Sequence, residues 1–134
     1  MAKLSYVEGI GEKYAAKLRL AGVGSTDSLL KAGSTPKGRT QLAGAAEVSE
    51  KLILEWVNHV DLFRIKGIGQ EYADLLEEAG VDTVPELAQR KPENLYEKLV
   101  EVNQQKKLVR VLPSTVKVRS WINQARNMPR IIEY

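Results

Sequence analysis

Val7-Glu8-Gly9-Ile10-Gly11-Glu12-Lys13-Tyr14-Ala15 recurs later in the chain as Ile65-Lys66-Gly67-Ile68-Gly69-Gln70-Glu71-Tyr72-Ala73. The register holds through Leu18 and Leu76, Ala21-Gly22-Val23 and Ala79-Gly80-Val81, and Leu29 and Leu87. Pro36 and Pro92 each open a later segment, and Trp56-Val57-Asn58 answers Trp121-Ile122-Asn123 at a spacing seven residues longer. A unit of about 60 residues is too long for a thin solenoid repeat. The chain therefore reads as a duplicated small domain, with copies at residues 1–64 and 65–134.

Both copies predict helices. Tyr14, Ala15, Leu18 and Ala21 fall at helical spacing after the first Gly-Ile-Gly, and Tyr72, Ala73, Leu76 and Ala79 repeat the pattern. Gly22 and Gly80 supply the stop expected after such a helix. A short helix follows from Ser25 or Thr26, and Thr83-Val84-Pro85-Glu86 has capping-box form with proline in the first turn. Thr35-Pro36 and Lys91-Pro92 open a third helix in each copy. Ser49 caps a fourth, in which Leu52, Ile53, Trp56, Val57 and Val60 make an apolar stripe. Its counterpart starts near Ser114, with Val118, Trp121, Ile122 and Ala125 facing inward. Only Leu108-Val109-Arg110-Val111-Leu112 has an extended character, and Pro113 ends it. The expected fold class is all-α.

Composition narrows the function classes. The 134 residues are 43% hydrophobic and 28% charged, as in ordinary globular proteins. There is no cysteine, and His59 is the single histidine, so zinc fingers, thiol catalysis and disulfide frameworks are excluded. No apolar stretch approaches the ~20 residues of a membrane span, and the N-terminus has no signal-peptide core, which makes a cytoplasmic protein the expectation. No nucleophile has a base in sequence range, and neither a phosphate-loop nor a dinucleotide fingerprint is present. A non-enzymatic protein without cofactor or metal is expected. His59 reads as a surface or half-buried residue, and Trp56 and Trp121 read as core anchors rather than base-stacking platforms.

Two glycines around one aliphatic residue permit a tight turn and leave backbone N–H groups uncovered. At the start of a helix those groups and the helix dipole make a site for phosphate or another anion. Ile10 and Ile68 would turn inward and anchor each loop. Ile65-Lys66-Gly67-Ile68-Gly69, with residues 50–63 as the preceding helix, resembles the hairpin of the helix-hairpin-helix family. Val7-Glu8-Gly9-Ile10-Gly11 is similar, with room for scarcely one helical turn before it. The succession of Gly-Ile-Gly, Tyr-Ala-x-x-Leu and Ala-Gly-Val also looks like the N-terminal domains of archaeal recombinases. There Ala45-Ala46-Glu47-Val48-Ser49-Glu50-Lys51 occupies the place of a second, degenerate hairpin, without its glycines. The tandem arrangement is similar to an uncharacterised group of small bacterial proteins of unknown function. The resemblance implies two tandem helix-hairpin-helix-like (SAM-like) orthogonal bundles. It also implies phosphate contacts from the backbone of Gly9, Ile10 and Gly11 and of Gly67, Ile68 and Gly69, with Lys13, Lys17 and Lys66 as neighbouring cations. The same turn can equally serve as the tightest join between two steeply crossed helices.

Charge is unevenly placed. The first copy has nine basic and seven acidic residues, and the second has eleven and ten. Glu71, Asp74, Glu77, Glu78, Asp82 and Glu86 form an acidic run without a cation. Between Val102 and Ile132 there are only cations: Lys106, Lys107, Arg110, Lys117, Arg119, Arg126 and Arg130. An acidic helix behind the second turn repels a phosphate backbone, whereas Lys13, Lys17 and Arg19 follow the first. The acidic run is either a solvated face or a surface that docks on the basic segment, within one chain or head to tail between chains. Two functions follow as expectations. One is sequence-independent nucleic-acid binding through the first hairpin and cations among Lys106, Lys107, Arg110, Lys117 and Arg119. The other is a self-associating or partner-binding adaptor in which the hairpins are structural.

Overall fold

The computed structural model describes residues 3–7 and 9–134, so Met1, Ala2 and Glu8 of the first turn lie outside the described residues. It is all-helical, with no strand among the described residues. After a 3-10 turn at Leu4–Tyr6 come α1 (Glu12–Leu20), α2 (Thr26–Ala32), α3 (Pro36–Ala46) and α4 (Glu50–Leu62). Then follow α5 (Gln70–Glu78), α6 (Val84–Ala88), α7 (Pro92–Lys106) and α8 (Thr115–Arg126). The chain divides into two compact units, one of residues up to Asp61 with Ile131–Tyr134, the other Leu62–Arg130. No described helix is long and apolar enough to cross a membrane.

Local chemistry sets the boundaries. Ser25, Thr35, Ser49, Thr83 and Ser114 each accept a first-turn backbone N–H on the side-chain oxygen, at 3.0–3.2 Å. Ser25 and Ser28 complete a reciprocal capping box. Pro36, Pro85 and Pro92 occupy first-turn positions where no N–H is needed. α1 and α5 stop in the same way. Val23 N–H reaches Leu18 O at 2.9 Å, and Val81 N–H reaches Leu76 O at 2.8 Å, around Gly22 and Gly80 at positive φ. At the end of α3 no glycine is available, and Glu47 adopts the left-handed conformation itself, with φ 55°. Lys107 does the same after α7.

In the first unit α1 and α2 both pack on α3. Leu18, Leu29, Ile53 and Val57 are fully buried there. In the second unit α7 contacts α5 and α8, and α8 also contacts α6. The core there runs from Leu62 and Ile65 through Leu76, Leu87, Leu95 and Leu99 to Trp121 and Ile122. The extended Leu108–Leu112 piece joins no sheet. Instead the Asn103 carboxamide holds it, donating to Val109 O at 3.2 Å and accepting from Val109 N–H at 3.0 Å. His59 departs from expectation, being only 6% exposed. The end of α4 is buried on several sides, with Trp56, Val57, Val60, Asp61 and Leu62 also inside.

Candidate nucleic-acid interface

The two Gly-Ile-Gly turns have one geometry. Ile10 N–H donates to Val7 O and Ile68 N–H to Ile65 O, both at 3.1 Å. Gly9 and Gly67 lie at φ +90° and +101°, where an L side chain is strained. A Cβ on Gly67 would stand 2.9 Å from Trp121 Nε1, and one on Gly9 would stand 3.5 Å from Trp56 Nε1. Each indole in turn meets the tyrosine of the following helix. Tyr14 and Trp56 have ring centroids 5.2 Å apart, and Tyr72 and Trp121 5.3 Å apart, both pairs tilted. Trp56 and Trp121 are buried, which removes them as stacking surfaces for bases. Ile10 and Ile68 are buried as well, so only the loop backbone at these positions is available to a ligand.

The helices behind the turns differ from most others at their starts. Gly11 precedes α1 and Gly69 precedes α5, and neither supplies a side-chain cap. Gly9, Gly11 and Lys13 are exposed, and Lys17, one turn further along α1, is half-buried. The pair Lys13 and Lys17 thus stands on one stripe of α1. Arg19 leans towards Glu12 at 3.7 Å.

The second turn is furnished differently. Gln124 of α8 accepts from the Lys66 N–H at 2.8 Å and donates to the Lys66 carbonyl at 3.1 Å. This closes both backbone polar groups of Lys66, a clamp that a separation of 58 residues hid from sequence patterns. Gly67 remains exposed and Gly69 half-buried. The Lys66 side chain is exposed, but Glu71 stands in the first turn of α5.

The cations of residues 106–119 are partly engaged. Lys106 Nζ lies 2.5 Å from Glu78 Oε2, so basic segment and acidic helix meet within the chain. Arg119 bonds Glu93 at 2.8 Å and holds that carboxyl below its ordinary pKa. Lys117 Nζ stands 6.0 Å from the Tyr72 ring centroid. Lys107 and Arg110 are exposed. Arg126, beyond this group, donates to Ala88 O at the end of α6.

Together these features define an all-α protein built on a doubled turn-and-helix unit, each turn locked by a tryptophan–tyrosine pair. Residues 8–128 match the family described as Domain of unknown function (DUF4332), and the chain belongs to that family. No curated protein and no solved structure matches it.

Proposed function

We propose that the chain is a tandem helix-hairpin-helix-like, non-catalytic protein that holds a nucleic-acid backbone without reading its sequence. The first turn is the main contact. The observation that carries this reading is the start of α1: an exposed glycine turn, no side-chain cap, and Lys13 and Lys17 on one stripe behind it. First-turn amides and the helix dipole favour a phosphate there, and the two lysines add counterion release. In the second unit, Lys107 and Arg110 are exposed cations that supply further phosphate contacts. A cytoplasmic location is part of the same proposal.

A specific observation favours the adaptor reading for the second turn. Gln124 occupies the backbone N–H and carbonyl of Lys66, and Lys106 and Arg119 already face carboxylates. That turn acts as a structural joint, and the two copies have divided their roles.

Titration of a labelled duplex at 50 and 200 mM salt tests the proposal. Three neutralised phosphates make the affinity fall by about 40-fold between these salts. Lys13→Glu with Lys17→Glu weakens binding at least about tenfold, while Lys66→Glu changes it by less than about threefold. Absence of binding at 50 mM salt rejects nucleic acid as the ligand. Light scattering across a concentration series then examines self-association.

A further inference from the structure

Arg39 of α3 is only 6% exposed, yet the matching position of the second copy, three residues after Pro92, is Leu95. Leu95 is fully buried, so the proline-initiated helix accepts an aliphatic residue at this place. The guanidinium of Arg39 meets another need. Its Nη1 donates to Gly33 O at 2.9 Å and its Nη2 to Glu133 O at 2.8 Å. Glu133 N–H donates to Ser34 O at 2.7 Å. Both backbone polar groups of one residue in the C-terminal segment are therefore held by the corner between α2 and α3. Ile132 before it is 2% exposed, and the Tyr134 hydroxyl after it donates to Asn58 Oδ1 at 2.7 Å. The Arg39 guanidinium carbon lies 5.9 Å from the Tyr134 ring centroid. Bonds to the backbone of a segment together with burial of one of its side chains are general elements of peptide recognition, the first supplying affinity and the second specificity.

We infer that the first unit carries a slot for an aliphatic-x-tyrosine segment, filled by Ile132-Glu133-Tyr134 of its own chain and open to the same segment of a second copy. The attached segment has the advantage of high effective concentration, so a second copy enters only when the resident segment is displaced.

The test titrates a fluorescein-labelled peptide of residues 129–134 into two full-length proteins, the wild type and Ile132→Asp. Ile132→Asp binds the peptide saturably and at least about tenfold more tightly than the wild type, whose own segment competes. Adding Arg39→Leu weakens that binding at least about tenfold, and a peptide carrying Ile132→Asp does not bind. Equal binding to both proteins, equal binding of both peptides, or no binding to the Ile132→Asp chain overturns the inference. The peptide comparison leaves the slot itself unaltered, so it decides the matter even where Arg39→Leu unfolds the chain.

Discussion

Gly9 and Gly67 are the residues on which each turn depends, and they are not equivalent. Both have positive φ, but only at Gly67 does an added Cβ come within 2.9 Å of an indole nitrogen. Trp121 is 1% exposed and has nowhere to retreat. Gly67→Ala is therefore expected to cost about 2–3 kcal/mol, combining backbone strain with displacement of the ring. Gly9→Ala, with its 3.5 Å clearance, is expected to cost about 1 kcal/mol less than Gly67→Ala. Urea unfolding of the two variants checks the order. The same contact gives the glycines a packing reason to exist, independent of any ligand. Gly-Ile-Gly in this chain is thus a folding signal first, and in the proposed function the lysines of α1 turn one of its two copies towards phosphate.

Among the elements, α7 and α8 show how the basic segment is used. The Arg119–Glu93 pair joins them at 2.8 Å on the surface. Its hydrogen bond, aided by the backbone of Glu93, lowers the carboxyl pKa. A depressed carboxylate contributes stability that is present above its unfolded-state pKa and lost as pH falls through the folded value. The carboxyl of Glu93 should titrate at lower pH than an unpaired surface glutamate, and Arg119→Ala should raise its midpoint, as read by carbon-detected NMR. An unchanged midpoint in Arg119→Ala contradicts the pairing. The helices themselves were legible in the sequence because their signals are local: Ser25, Thr35, Ser49, Thr83 and Ser114 sit one residue before helices they do cap. The Gln124 clamp and the bond from Arg39 to Glu133 were not, since they join residues 58 and 94 positions apart. The burial of His59 escapes the sequence pattern for a related reason. Helical periodicity marks one inward stripe, whereas the end of α4 is buried on more than that stripe.

For the whole molecule, duplication makes a quantitative expectation. Leu29 and Leu87 hold matching positions in α2 and α6, and both are 0% exposed. Truncation to alanine at either site should cost about 2–5 kcal/mol. Thermal unfolding of Leu29→Ala and Leu87→Ala should show comparable losses, and a negligible loss at one site contradicts equivalent cores. The copies also differ in the chemistry of their turns. Both helix starts are uncapped and carry a first-turn carboxylate, Glu12 or Glu71, but copy one adds Lys13 and Lys17 where copy two has the Gln124 clamp. The net charge of +3 conceals that contrast, because the acidic run of residues 71–86 offsets the basic stretch of residues 102–132. The most direct test is a titration of the nitrogen-15-labelled chain with a short duplex at low salt, following backbone amides. The proposal predicts the largest shifts at Gly11, Glu12 and Lys13, with Gly67, Ile68 and Gly69 nearly unmoved. Unmoved amides at Gly11 to Lys13 while the duplex binds elsewhere contradict it.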